Sequence, residues 1–167
     1  MRGPVAISLV VSTLGREAPL FKLFESLSGQ TNHNFEVVIV DQNGDDRLAA
    51  LVGCPWPFNV TWIREPNIRG LSRARNIGWR AARGQILLFP DDDCWYPSWL
   101  LAKGEELMDS LNSDIVTGRA ADELGRDING RFAQLPHRID RRNVWVSGIE
   151  WMMLFKKRRA YRCRRLR

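Results

Sequence analysis

The stretch Gln85-Ile86-Leu87-Leu88-Phe89-Pro90-Asp91-Asp92-Asp93 is a short apolar run that ends in three consecutive carboxylates. A continuous apolar segment of this length, just after a glycine (Gly84), reads as a buried strand. Three carboxylates at its end repel one another unless a cation sits among them. A hard divalent ion such as Mg²⁺ or Mn²⁺ prefers oxygen ligands and commonly brings phosphate with it. The triplet is therefore a candidate metal–diphosphate site. The bland alternative is a solvated acidic turn or a charged helix start.

Working outward, the same grammar repeats. Val5-Ala6-Ile7-Ser8-Leu9-Val10-Val11 is a β-branched apolar run bounded by Ser12-Thr13. Phe35-Glu36-Val37-Val38-Ile39-Val40 is a second run, ending at Asp41 and followed by the turn residues Gln42-Asn43-Gly44. Asn59 to Ile63 and Asp114 to Gly118 read as further strands. Between them, Leu20, Leu23, Phe24 and Leu27 recur at helical spacing, with Gly29 as the stop. A short helical stretch is expected over Arg47–Val52 and a longer one from Pro97 to about Leu111. Leu71, Ala74, Ile77, Gly78, Ala81 and Ala82 share one helical face, with Gly84 as the stop. Strand–helix alternation predicts an α/β fold: a mostly parallel sheet with helices on both faces. In such sheets ligands sit beyond the carboxyl ends of the strands. Ser12-Thr13, Asp41 and Asp91-Asp92-Asp93, far apart in sequence, are thus expected to converge on one crevice.

Composition sets limits. The chain of 167 residues, 44% hydrophobic and 26% charged, suits one soluble globular domain with a real core. The net charge of +6 is a local property. Residues 156–167 (KKRRAYRCRRLR) carry eight Lys or Arg and no acid, and without them 17 basic residues face 19 acidic ones. No nucleic-acid partner is expected of the body. Cys54, Cys94 and Cys163 form no CxxC pair and lie apart from His33 and His137, which argues against zinc; their odd number suits a reducing compartment. Met1-Arg2 before Val5–Val11 faintly resembles a leader but lacks a small-x-small cleavage site. No apolar run approaches the ~20 residues of a membrane span. A cytoplasmic location is expected, with the inner face of a membrane as a second station through the basic tail. Neither GxGxxG after the first strand nor GxxxxGK[ST] is present, which sets aside two common nucleotide folds.

Four blocks, in order, resemble family-2 glycosyltransferases of the GT-A fold: Ser8–Thr13, Glu36–Asp41, Gly70-Leu71-Ser72-Arg73-Ala74-Arg75-Asn76-Ile77-Gly78, and Phe89-Pro90-Asp91-Asp92-Asp93-Cys94-Trp95-Tyr96-Pro97. The resemblance covers residues 5–118. It implies a Rossmann-like nucleotide-diphospho-sugar transferase fold, here incomplete at the C-terminus. It also implies a nucleotide-diphosphate sugar donor, a divalent metal (Mn²⁺ or Mg²⁺), inversion at the sugar carbon, and a glycan, lipid or protein acceptor. By residue, it implies Thr13 and Asp41 at the nucleobase and ribose, and Asp91 to Asp93 as the DxD-type element. Asp92 is then the best single metal ligand, Asp91 is at the ribose or the metal, and Asp93 lies behind them or at the metal. Arg73 and Arg75 are expected to face the diphosphate, with Asn76 bracing the site. Pro90 stands where many relatives carry another aspartate, which leaves the division of labour among the three open.

Inverting transfer also needs a carboxylate to take the acceptor proton. In the family this base comes from the later, acceptor-binding half. Asp122, Glu123, Asp127, Asp140 and Glu150 follow the triplet without an acidic pair of that kind. Asn143–Phe155 reads as the start of a further core element. The expected organisation is a partial transferase domain over 1–155 and a tail over 156–167. That tail is read as a non-native ending from truncation or a frame change, a solvated helix end, or a basic arm for anionic lipid or RNA. Transfer activity, poor in this short chain, is the leading expectation; a donor-holding fragment without chemistry and a tail-driven surface binder are the alternatives.

Overall fold

The computed structural model describes residues 5–130, 132–133, 135–148 and 150–157. Six strands form one sheet: β1 (Ile7–Thr13), β2 (Phe35–Asp41), β3 (Asn59–Arg64), β4 (Ile86–Leu88), β5 (Ile115–Thr117) and β6 (Met153–Lys156). Their order is β3-β2-β1-β4-β6-β5. The first four pair in parallel, while β6 is antiparallel to both β4 and β5. The helices are α1 (Ala18–Ser28), α2 (Ala49–Gly53), α3 (Leu71–Ala81), α4 (Leu100–Ser110) and the single turn α5 (Val144–Ser147). This is the expected α/β architecture.

Every residue of β1 and β2 is buried, as central parallel strands require. Alternation then splits the core. Ile7, Leu9, Val11, Val37 and Ile39 pack with Leu20, Leu23, Phe24 and Leu27 of α1 and with Leu100, Leu101 and Met108 of α4. On the other face Val10, Val38 and Leu87 meet Ala82 and Trp79 at the end of α3. That face is thin because α3 lies almost on the sheet. A Cβ added at Gly78 would come 2.3 Å from Val10 Cγ1 and 3.1 Å from Val40 Cγ2.

Several expected boundaries move for identifiable reasons. Ala74 and Gly78 are the buried residues of α3, whereas Leu71 and Ala81 are exposed. Gly84 lies beyond the helix end and serves close approach instead, since a Cβ there would meet Ser8 N at 2.6 Å and Ile7 C at 2.7 Å. α4 starts at Leu100, because Pro97–Trp99 form a turn whose Pro97 carbonyl accepts from Leu100 N–H. The further core element is β6, inserted between β4 and β5. Lys156 closes β6, and Lys157 N–H donates to the Gln85 carbonyl at 2.8 Å, so these two lysines, expected at the start of the tail, continue the end of β6 beside β4. The expectations for 158–167 lie outside the described residues.

A buried clasp fixes the amino ends of the strands. Glu36, 1% exposed, accepts from Ser8 Oγ (2.7 Å), Arg83 N–H (2.6 Å) and Arg83 Nε (2.7 Å). Ser8 Oγ in turn accepts from Gly84 N–H at 2.8 Å. Burial disfavours the Glu36 carboxylate, but the bonds from Arg83 and Ser8 outweigh it and hold its pKa below the ordinary value.

Candidate functional site

The carboxyl ends of β1, β2 and β4 open on a cleft of about 380 Å³. Ser12 and Thr13 line it from the end of β1, and Gln42 from the end of β2. Gly70 and Leu71 line it from the start of α3, Arg16 from the β1–α1 loop, and Asp91, Asp92 and Asp93 from the turn after β4. Sequentially distant strand ends therefore meet here, as parallel topology requires.

Thr13 and Asp92 make the junction. Thr13 Oγ1 donates to Asp92 Oδ2 at 2.8 Å, across 79 residues of sequence. Thr13 is 2% exposed, so this bond fixes one carboxylate rotamer from behind. Arg16 Nη1 donates to the other oxygen, Asp92 Oδ1, at 3.0 Å and also reaches Asp93 Oδ2. The guanidinium thus bridges two of the three carboxylates. Asp91 faces the other way: Arg75 Nη2 donates to its Oδ1 at 3.0 Å, while Arg75 Nη1 lies 3.1 Å from Glu150 Oε2. Burial pushes the Asp91 carboxyl above its ordinary pKa, and Glu150, Asp93 and Asp92 add to this against the pull of Arg75. The acids carry more negative charge than the two arginines offset.

A hard cation fits this donor set. Ligand atoms of Asp91, Asp93 and Cys94 lie within 4.8 Å of one another. The Cys94 thiol is pushed up to about 12, chiefly by burial, so it stays protonated and is a poor ligand for an oxygen-seeking ion. The carboxylates remain as the donors suited to such an ion. Asp92, the residue expected to lead, is instead turned toward Thr13 and Arg16. Ser12 Oγ is buried at the cleft wall and has no hydrogen-bond partner among the described residues, which leaves one polar atom free for a ligand.

The other expected residues are placed differently. Asp41 is fully buried and does not line the cleft. Its Oδ1 accepts from Asn43 N–H (2.9 Å) and Asn43 Nδ2 (2.7 Å), and its Oδ2 accepts from Trp62 Nε1 (3.0 Å). The first of these bonds closes an Asx turn, which draws the carboxylate inward and presents Gln42 instead. Arg73 and Asn76 are exposed on α3 and do not line the cleft. Arg75 is well buried and acts from behind the triplet; its Nε is buried without a partner among the described residues. Sequence reading missed Arg16, Gln42 and the Arg75–Glu150 pair. Arg16 carried a faint signal as the one basic residue between the first strand and the first helix. Glu150 carried none, because only the insertion of β6 beside β4 brings it near Asp91.

The turn itself is braced. Cys94 N–H donates to the Asp91 carbonyl (3.3 Å), and Tyr96 OH donates to the Trp151 carbonyl at 2.6 Å. Tyr96 is 3% exposed, and burial raises its phenol pKa well above the ordinary value, so it remains a donor.

Comparison with known proteins bears on the fold and the family. An uncharacterised glycosyltransferase of Haemophilus influenzae is 41% identical over 92 residues, which are 54% of this chain and 31% of that protein. The structure of S. aureus TarS 1-349 in complex with UDP-GlcNAc superposes with a TM-score of 0.71 at 22% identity, covering 90% of this chain and 45% of that one. The mannosyltransferase PcManGT from Pyrobaculum calidifontis, in complex with GDP-Man and Mn²⁺, superposes with a TM-score of 0.62 at 21% identity, covering 71% and 36%. The chain therefore spans less than half the length of each of these proteins. The Glycosyl transferase family 2 pattern matches over residues 8–165, nearly the whole chain, and the chain belongs to that family.

Proposed function

We propose that this chain forms the donor-binding part of a metal-assisted glycosyltransferase that moves a sugar from a nucleotide diphosphate to an acceptor hydroxyl. The observation that carries the reading is the Thr13–Asp92 bond, which joins the ends of two strands around a cleft walled by three carboxylates. Structures of the same fold hold UDP-GlcNAc in one case and GDP-Man with Mn²⁺ in another, which supports a nucleotide sugar as ligand here.

In this reading Asp91 and Asp93 hold a divalent cation, and Asp92 shares in it when Arg16 yields. The cation, when bound, stabilises charge on the leaving diphosphate as a Lewis acid. Thr13 fixes Asp92, Arg75 fixes Asp91, and the Gln42–Asn43 turn held by Asp41 forms the base-and-ribose end. Catalysis then rests on positioning and on electrostatic stabilisation of the leaving group. Inversion, the identity of the metal, and an acceptor that is a glycan, lipid or protein are part of the proposal by family resemblance.

A donor-holding role with slow turnover is the second reading. Among the described residues, the carboxylates lining the cleft are the triplet alone. None is left over as a base for the acceptor hydroxyl. We place the base outside the described cleft; a clear transfer rate from the isolated chain would sink the slow-turnover reading. The donor reading is tested by calorimetry with UDP and GDP, with and without Mn²⁺. Replacing Asp91 and Asp93 together by Ala should abolish Mn²⁺-dependent binding, and Asp92→Ala should weaken it; retention of that binding in the double variant would refute the assignment. Among the described residues no helix is long and apolar enough to cross a membrane.

A further inference from the structure

Arg16 sits where a cation joining Asp92 to Asp93 would have to sit. One nitrogen, Nη1, contacts carboxylate oxygens of both residues. Asp92 has its remaining oxygen on Thr13, so Arg16 neutralises the half of the triplet that Arg75 does not reach. The clasp is wet: the Arg16 and Asp93 side chains are 48% and 51% exposed. An ion pair this exposed is weak and is readily exchanged for a stronger one.

The backbone under Arg16 is held by the fold, while its side chain is tied only through its contacts with Asp92 and Asp93. Gly15 has φ +79°, in the left-handed region, and its N–H donates to Asn43 Oδ1 at 2.6 Å. Asn43 is itself bonded to Asp41. The loop is thus pinned to the end of β2, and the long Arg16 side chain extends from a fixed root across the mouth of the cleft. A divalent ion taking Asp91, Asp93 and Asp92 would repel the guanidinium. A bound diphosphate is then the negative group at the same mouth, and a guanidinium matches phosphate oxygens well.

We propose that Arg16 is an exchangeable cation, bridging Asp92 and Asp93 when no divalent ion is bound and passing to the ligand's diphosphate when a divalent ion takes its place. This rests on the donor-site reading above. It makes Arg16 a competitor of the metal and a partner of the nucleotide, two effects of opposite sign. A merely structural Arg16 would move both affinities the same way or neither.

The test uses the full chain, its Arg16→Ala variant and its Arg16→Lys variant. Mn²⁺ alone is titrated by the loss of its free electron-paramagnetic signal. UDP and GDP are titrated calorimetrically at saturating Mn²⁺. Removal of an exposed ion pair predicts that Arg16→Ala binds Mn²⁺ roughly threefold tighter. Loss of a charge-assisted phosphate bond predicts that it binds the nucleotide about tenfold more weakly. Arg16→Lys, which keeps the charge but not the fork, should fall between in both titrations. Changes in the same direction, or none in either titration, overturn the exchange. If the unsubstituted chain binds neither Mn²⁺ nor nucleotide, the donor-site reading fails as well. Normal wild-type binding with no inversion in Arg16→Ala defeats the exchange alone.

Discussion

Glu36→Gln separates what holds the sheet together from what forms the site. Glu36 carries one acceptor oxygen toward Ser8 Oγ and Arg83 N–H, and the other toward the Arg83 guanidinium, whose Nη2 lies 2.6 Å from Oε2. Glutamine can keep its oxygen on Ser8 and the Arg83 amide, but its NH₂ then faces the guanidinium donors. Arg83 is 61% exposed and can turn to water, so no charge is left stranded. The loss is two charge-assisted bonds at a half-wet rim. At 1.5–3 kcal/mol each before solvent screening, they discount to about 2 kcal/mol together. Glu36→Ala should cost more, about 3–4 kcal/mol, because the Ser8 hydroxyl and the Arg83 amide also lose their acceptor in a buried setting. Urea unfolding followed by circular dichroism measures both, with the midpoint falling at constant slope. Because the folded pKa of Glu36 is lowered, its contribution is fully present above the unfolded carboxylate value, about 4.3. It is lost as pH falls through the lower folded value. The gap between wild type and Glu36→Gln should therefore be constant from pH 7 to 5 and narrow below that. A gap under about 0.5 kcal/mol at pH 7, or one that widens in acid, would refute the reasoning. The clasp lies at the amino ends of the strands, so Mn²⁺ and nucleotide affinity of the folded variant should be unchanged.

Three further outcomes follow from named contacts. Thr13→Val removes the donor that fixes Asp92 and should weaken Mn²⁺-dependent nucleotide binding about tenfold in calorimetry, with a small change in stability. Cys94→Ala should leave Mn²⁺ affinity within about twofold, since a buried protonated thiol is not a ligand for a hard cation; a larger loss would place sulfur in the metal set. Gly78→Ala presses a methyl into Val10 and should cost about 1–2 kcal/mol in urea unfolding after the gain in helix propensity; pairing it with Val10→Ala should shrink that cost.

Much of the fold was legible because its signals are local. Short, β-branched, mostly apolar runs at Ile7–Val11 and Phe35–Val40, each bounded by polar turn residues, read as strands covered on both faces. Parallel strands need crossover helices, and the helical spacing of Leu20, Leu23, Phe24 and Leu27 supplied one. The convergence of Thr13 with the aspartates followed from topology alone. The misreadings share a cause. Leu71 and Ala81 have the right spacing for a buried stripe, but α3 approaches the sheet along Ala74, Gly78 and Ala82 and leaves those two residues outside. Arg73 and Asn76 share a motif with Arg75, yet only Arg75 points behind the triplet.

The sequence by itself determined that three carboxylates would end a buried strand beside Ser12 and Thr13, because short β-branched apolar runs bounded by polar residues constrain each strand independently of its partners. The tertiary structure decided which groups those carboxylates meet. Arg16 reaches Asp92 and Asp93 across a loop, Glu150 reaches Arg75 only through the antiparallel insertion of β6, and Asp41 is turned inward by Asn43 and Trp62. These pairings depend on side-chain reach between separate elements. No spacing along the chain encodes that reach.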